Sequence, residues 1–231
     1  MVNCAAWTNV DGAEDDPEGA LLVNGTAAGY VAEAAAGVEA DVLYISSDYV
    51  FNGRKGADYV ESDETDPIST YGRSKLAGEI STAEANTHSY IVRSSWLFGA
   101  NGKNFVSTML GLGASRDEVT VVADQVGSPT NTWHLAGALV RLLESGDFGL
   151  HHISAEGGCS WYDFAREIFE LSKTDVLTLA TSTESFGAKA PRPSHSVLAS
   201  ENPQAIKLPS WQIGLADHLA QSRVPAKGGI S

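Results

Sequence analysis

Asp41-Val42-Leu43-Tyr44-Ile45-Ser46-Ser47-Asp48 is a short apolar run, β-branched in part, that stops at two hydroxyls and a carboxylate. Such a run fits a buried strand of a parallel sheet, covered on both faces. A loop rich in Gly, Asp and Pro separates it from Tyr71-Gly72-Arg73-Ser74-Lys75, which opens an amphipathic helical run. Strand, loop and helix in that order predict one unit of a doubly wound sheet, whose ligand crevice lies outside the carboxyl ends of the strands. Ser47 and Asp48 are expected at the mouth of that crevice, with Tyr71 and Lys75 on the helix that follows.

A helix turns once per 3.6 residues, so Tyr71 and Lys75 at i and i+4 project from one face. A neighbouring ammonium favours the phenolate, and the Tyr71 pKa is expected to fall from about 10 toward working pH. Ser47 to polarise a carbonyl oxygen, Tyr71 to deliver a proton, and Lys75 to tune the Tyr and hold a ribose are the parts needed to reduce a carbonyl. The spacing alone also fits a surface helix whose Tyr packs and whose Lys is solvated.

Outward from this unit, strands and helices alternate. Strand-like runs cover 2–6, 41–46, 89–94, 118–123, 150–153 and 176–179; helix-like runs cover 17–37, 71–86, 104–114, 133–145, 161–172 and 211–221. The pattern predicts an α/β fold: a Rossmann-like, doubly wound, mostly parallel sheet with helices on both faces. The irregular stretch 185–209 does not fit the sheet. One domain over 1–221 is expected, with 185–221 contributing to a small C-terminal substrate-binding lobe and 222–231 a flexible tail.

With 29 acidic against 15 basic residues, a net charge of −14 and a pI near 4.7, the chain lacks the surface that binds nucleic acid. Cys4 and Cys159 lack CxxC spacing and read as buried small hydrophobes in a reducing compartment. No run reaches a membrane span and no leader pattern opens the chain, so a cytoplasmic protein without membrane contact is expected. His151-His152 does not read as a metal pair, because neighbours on a strand face opposite sides. No metal site is expected.

Seven segments, in order along nearly the whole chain, resemble the dTDP-4-dehydrorhamnose reductases among the extended short-chain dehydrogenase/reductases. They are Asn3-Cys4-Ala5-Ala6-Trp7-Thr8-Asn9-Val10-Asp11, Ile45-Ser46-Ser47-Asp48-Tyr49-Val50-Phe51 and Tyr71-Gly72-Arg73-Ser74-Lys75-Leu76-Ala77-Gly78-Glu79. Four more follow: Arg93-Ser94-Ser95-Trp96-Leu97-Phe98-Gly99, Asn104-Phe105, Asp124-Gln125-Val126-Gly127-Ser128-Pro129-Thr130, and Ser160-Trp161-Tyr162-Asp163-Phe164-Ala165. The resemblance implies reduction of the 4-keto group of dTDP-4-dehydro-L-rhamnose to dTDP-L-rhamnose with NADPH, NADH being the alternative. It implies Tyr71, Lys75 and Ser47 as catalytic residues, and Ala6, Trp7, Thr8, Ile45, Tyr71 and Lys75 around the cofactor. Ser47, Asp48, Trp96, Asn104 and Arg192 would meet a dTDP-sugar. The quaternary state stays open, a homodimer among the alternatives.

Two departures are tolerable: Trp7 where the family has Tyr or His, and Ser47 where it has Thr. A third is larger. No strand, Gly-rich turn and helix in succession offers a pyrophosphate site. Gly111-Leu112-Gly113 lies inside a helical run, and Gly157-Gly158 lacks the pattern. At about 30 residues per βαβ unit, roughly 50 to 60 family residues have no counterpart. Either Met1 is an internal start and the natural protein is longer, or the gene is truncated; the intact later blocks favour the first. Weak NADPH binding and an association-prone edge at 2–6 are the corresponding expectations. Two rival functions share parts of the pattern: a non-catalytic subunit like the regulatory subunit of methionine adenosyltransferase, and another nucleotide-sugar epimerase or dehydratase. Trp96 and the 125–130 loop count against the first, and Tyr49 in place of a Glu counts against the second.

Overall fold

A computed structural model gives the structure of residues 1–222; the tail expected over 222–231 lies, from 223 onward, outside the described residues. The chain opens with β1 (Val2–Asn3), α1 (Val10–Ala13), α2 (Pro17–Leu21), a π-helical turn (Leu22–Thr26) and α3 (Ala27–Ala36). Next come β2 (Val42–Ser47), a 3-10 turn (Asp48–Val50), α4 (Thr70–Ala85), β3 (Ser89–Ser94), β4 (Leu97–Phe98) and α5 (Phe105–Gly113). Then follow β5 (Glu118–Val122), β6 (Val126–Gly127), β7 (Thr130–Asn131), α6 (Thr132–Ser145), β8 (Gly149–His152) and β9 (Cys159–Ser160). The described chain ends with α7 (Trp161–Ser172), β10 (Leu177–Thr181), α8 (Thr183–Phe186) and α9 (Trp211–Ser222).

The main sheet has the order β1-β2-β3-β8, and every pairing in it is parallel. β2 and β3 pair from Val42↔Ser89 to Ser47↔Ser94, so both strands finish side by side on hydroxyl residues. Alternate side chains go to opposite faces, as a pleated strand requires. Val42 and Tyr44 pack against Ala28, Ala32 and Ala35 of α3. Leu43, Tyr90 and Val92 meet Leu135, Ala138, Leu139 and Leu142 of α6. Both faces of β2 are thereby dry, which is why its sequence is an unbroken apolar run rather than an alternating one.

Four expectations are corrected. β1 stops at Asn3 instead of residue 6: the Asn3 side chain takes the Ala5 N–H, and the Trp7 backbone is bonded to Asn24 rather than to a strand. Cys4, just past that end, is exposed; only Cys159 is buried. β5 and β10 do not extend the main sheet but form a parallel pair of their own. β5 packs under α5, α7 and α9 around Val106, Met109, Phe164, Ile168 and Leu215. The 17–37 helix is interrupted by the π-helical turn, which turns Asn24 inward to full burial. Residues 185–209 cross back to the β2 side, where Tyr59 pairs with Leu198 and Val126 with His195.

α4 is tied to the sheet by a buried ion pair. Arg93 Nη2 of β3 donates to Glu79 Oε2 at 2.7 Å and Arg93 Nε to Oε1 at 2.8 Å, with side-chain exposures of 4% and 6%. Arg93→Met leaves the Glu79 carboxylate buried without its cation, and urea denaturation is expected to show a loss of about 3–5 kcal/mol. Glu79→Met together with Arg93→Met should recover most of it; a double variant no more stable than the single one contradicts this account.

Candidate active site

The first turn of α4 is seated by its cap and by a close backbone approach. Ser69 Oγ accepts the Gly72 N–H at 3.1 Å, and Glu14 accepts the Thr70 N–H at 2.8 Å. A Cβ on Gly72 would stand 2.2 Å from the Tyr49 carbonyl, so only glycine lets α4 begin against the 3-10 turn. Tyr71 consequently meets Tyr49 edge to face, ring centroids 5.6 Å apart.

Below Tyr71 runs a chain of hydrogen bonds. Ser47 Oγ donates to Asp48 Oδ1 at 3.0 Å while accepting the Tyr49 N–H, and stands near enough to the Tyr71 phenol to favour its ionised form. Ser196 Oγ donates to Asp48 Oδ2 at 2.6 Å from the far end of the sequence. Asp48 is 1% exposed and does not line the mouth of the crevice as the sequence suggested. Burial pushes its carboxyl up to about 7 against the pull of the Ser196 and Ser47 bonds.

Lys75 corrects a second expectation. Its Nζ donates to the Ile45 carbonyl at 2.6 Å and stands 4.2 Å over the Tyr44 ring. Burial pulls it down to about 8, opposed by the Glu79 charge. Tyr71 is not lowered by it. Burial pushes the phenol up to about 12; Ser47 lowers it and the Asp48 charge raises it further. The surface-helix alternative is excluded by the same observation, since Lys75 is 2% exposed.

The remaining site residues fall into three groups. Ala6, Trp7 and Thr8 form the loop leaving β1, with Trp7 N–H donating to Asn24 Oδ1 at 2.8 Å and Asn24 Nδ2 donating to Trp7 O at 3.0 Å. Asn24 Nδ2 also donates to Ser74 Oγ of α4, which locks this loop to the helix carrying Tyr71. Arg192 is held bidentately by Asp11, at 3.1 and 2.8 Å, and its charge lies near the Tyr49 phenol, whose pKa burial raises and Arg192 lowers. A largely apolar pocket of about 340 Å³, lined by Phe105, Met109, Val121, Gln125, Trp161 and Arg192, opens beside this clasp.

Trp96 lies parallel to Trp161, centroids 3.4 Å apart, so one face of its ring is already covered. Its φ of 49° is left-handed, a conformation that costs a bulky residue about 1–3 kcal/mol and persists only where neighbours enforce it. Asn104 spends its side chain as the cap of α5, accepting from Ser107 N–H at 3.0 Å and donating to Gly99 O at 2.9 Å. That cap holds Phe105 4.5 Å from Trp161. Asp11, Asn24, Trp161 and Ser196 were not expected as site residues. Asp11 and Trp161 lay in quoted segments without a role assigned to them; Asn24 and Ser196 come from segments remote in sequence, where no spacing rule applies.

The donor set fits the nicotinamide end of a dinucleotide. Lys75 has spare N–H donors, and beside Ser47 the buried Ser94 hydroxyl has no partner. Among the described residues no Gly-rich turn between strand and helix stands ready for a pyrophosphate.

Parallel sheet and Ser–Tyr–Lys cluster together define the class, a Rossmann-like α/β protein of the short-chain dehydrogenase/reductase kind. The family described as RmlD substrate binding domain matches residues 1–224. The spore coat polysaccharide biosynthesis protein SpsK of Bacillus subtilis is 41% identical, over 96% of this chain and 78% of its own length. The dTDP-4-dehydrorhamnose reductase of Escherichia coli K12 is 39% identical, over 93% of this chain and 77% of its own. The solved dTDP-4-dehydrorhamnose reductase of Bacillus anthracis, in complex with NADP, superposes with a TM-score of 0.93 at 41% identity, covering 95% of this chain and 79% of that one. The chain belongs to the RmlD substrate-binding-domain family.

A Cβ on Gly127 would lie 2.4 Å from the Trp96 ring. Gly127→Ala should therefore part the two indoles, abolishing their exciton couplet in circular dichroism and costing about 1–3 kcal/mol in urea. An unchanged couplet contradicts the stacked geometry.

Proposed function

We propose that this chain is a reductase that uses NADPH to convert the 4-keto group of dTDP-4-dehydro-L-rhamnose to the alcohol of dTDP-L-rhamnose. The observation that carries the reading is the convergence of Ser47, at the carboxyl end of β2, on Tyr71 in the first turn of α4, one helical turn from a buried Lys75. It stands on a chain about 40% identical to named reductases over most of its length.

NADPH, when bound, supplies the hydride. Ser47 holds the carbonyl oxygen and polarises it, and Tyr71 gives that oxygen its proton as the charge develops. Lys75 holds the nicotinamide ribose, its ammonium anchored on the Ile45 carbonyl; Ala6, Trp7 and Thr8 line the same edge through backbone atoms. A phenol pushed up to about 12 stays protonated at neutral pH and is still far more acidic than the alcohol it creates. On the sugar-nucleotide side, Arg192 faces the diphosphate and the aromatic pocket beside it receives the base. Asp48 and Trp96 border the sugar, with Asn104 setting the helix that presents Phe105.

Tyr71→Phe removes the transferable proton and keeps the ring. It is expected to lower kcat about 10²–10⁴-fold with little change in KM for the sugar nucleotide. Lys75→Met should lower kcat and also raise the KM for NADPH, since one ammonium serves both. NADPH oxidation by Tyr71→Phe at the parent rate sinks the assignment of the acid.

A further inference from the structure

Lys75 carries its charge into the interior with little to meet it. The residue is 2% exposed, and its Nζ donates to the Ile45 carbonyl at 2.6 Å. Among the described residues no carboxylate pairs with it. Glu79, one turn further along α4, spends Oε1 on Arg93 Nε and Ser46 Oγ, and Oε2 on Arg93 Nη2. Taking an ammonium out of water favours its neutral form, and burial does lower this one, to about 8. What remains to hold the charge is an aromatic face: Nζ stands over the Tyr44 ring, 4.2 Å from its centroid. The negative face of a ring attracts a cation, and more strongly where both are desolvated.

The ring is itself seated from several sides. Tyr44 lies on β2, where Ala28 of α3 and Ile91 of β3 pack with it. Its hydroxyl donates to the Asn24 carbonyl at 2.8 Å, with the Lys75 carbonyl at 3.4 Å as a second acceptor. A buried Tyr hydroxyl needs such a partner. α4 passes close over it at Gly78, where a Cβ would stand 2.2 Å from the Tyr44 hydroxyl and 2.1 Å from the Asn24 carbonyl oxygen. Glycine at this position lets the helix come down far enough for Lys75, three residues earlier, to reach the ring.

We propose that Tyr44 is a positioning residue of the reductase reaction, its ring face keeping the Lys75 ammonium charged and in place. The inference rests on the reading of Lys75 as the group that holds the nicotinamide ribose. Tyr44 is 1% exposed, so it acts through Lys75 rather than on the ligands. The charged and titratable groups around Lys75 are Glu79 and Tyr71 of its own helix, Tyr44 of β2, and Arg93 of β3, which is bound to Glu79. The π-helical turn and the loop of Ala6, Trp7 and Thr8 bring no charge.

The test is NMR of the protein without cofactor, its lysines labelled with carbon-13 at Cε and the Lys75 signal assigned by its absence in Lys75→Met. In the parent, the Lys75 methylene next to Nζ should be displaced upfield by the ring. The displacement should exceed that of Lys55, whose Nζ is 5.6 Å from the Tyr59 centroid. Tyr44→Phe keeps the ring and should keep the displacement. In Tyr44→Leu the displacement should vanish and the Lys75 titration midpoint should fall by about one pH unit. A core tyrosine with no hold on Lys75 would lower stability on the same substitution and leave both where they were. In turnover, Tyr44→Leu should raise the KM for NADPH roughly five- to tenfold at about pH 8 to 9, the defect fading toward about pH 6. Tyr44→Phe should stay parent-like. A parent Lys75 signal without upfield displacement overturns the proposal with no variant needed, and so does an unmoved midpoint in Tyr44→Leu. Lys75→Met separates the two readings. Parent-like KM and kcat there remove the ribose role itself, whereas their loss beside a parent-like Tyr44→Leu removes only the role of Tyr44.

Discussion

Glu79 and Arg93 face each other where α4 crosses the end of the main sheet, and the positions of Ser47, Tyr71 and Lys75 depend on that contact. Glu79 Oε1 receives the Ser46 hydroxyl at 2.5 Å as well as the Arg93 Nε–H. Arg93 reaches His152 of β8 at 3.4 Å and lies 5.0 Å over the Phe51 ring. One pair thereby touches α4, β2, β3, β8 and the loop after β2. A buried ion pair gains little over a well-packed apolar one, because desolvating two charges costs about as much as their attraction returns. What it does here is set register: a slip of β2 by one residue would bring Ile45 or Ser47 to the carboxylate and reverse every side chain in the strand. The residue next to the pinned Ser46 is Ser47, so the hydroxyl proposed to hold the carbonyl oxygen is fixed by its neighbour's bond to Glu79.

A second junction joins the same helix to the opening loop. Asn24 can sit inside because the π-helical turn carries one extra residue per turn, which rotates a polar side chain into the interior. Every polar atom of that side chain is used, on Trp7 N, Trp7 O and Ser74 Oγ. Its backbone carbonyl takes the Tyr44 hydroxyl at 2.8 Å. Fully satisfied, such a buried network specifies one arrangement; half satisfied, it would cost more than an apolar core. The loop of Ala6, Trp7 and Thr8 and the helix of Tyr71 and Lys75 are therefore placed by one side chain, although 69 positions separate the first of these residues, Ala6, from the last, Lys75.

How much of this could be read in advance follows from the range of each force. The apolar run of β2 and the alternation around it are local, and they led to the parallel sheet. The i and i+4 spacing correctly put Tyr71 and Lys75 on one helix near Ser47. It did not reveal where the ammonium would point, because the Ile45 carbonyl comes from a strand end 30 residues earlier. The 118–123 and 176–179 runs look like sheet strands by composition; only tertiary packing under α5, α7 and α9 separates them from the main sheet. Ser196 carried no local signal at all, and Asp11, though it closes a quoted segment, carried none for the role it plays. Each acts through a partner more than a hundred residues away, Asp48 and Arg192, and composition or periodicity cannot encode such pairs.

Charge gives the last constraint. The chain carries −14 overall, yet the ligand proposed for it is a diphosphate. An unpaired guanidinium in the cleft would attract any passing anion and, half buried, would be costly to maintain. Asp11 neutralises Arg192 with two hydrogen bonds while the Ala190 backbone and Lys189 tie the same strap to α1, Lys189 through Asp15. A carboxylate carries one negative charge and a diphosphate more, so a diphosphate can share or replace Asp11 where a lone carboxylate or chloride gains nothing by exchange. The Arg192 charge also acts on the Tyr49 phenol, and Tyr49 packs on Tyr71. Occupation of the diphosphate position proposed at Arg192 would thus be felt, through Tyr49, at Tyr71, the phenol proposed to deliver the proton.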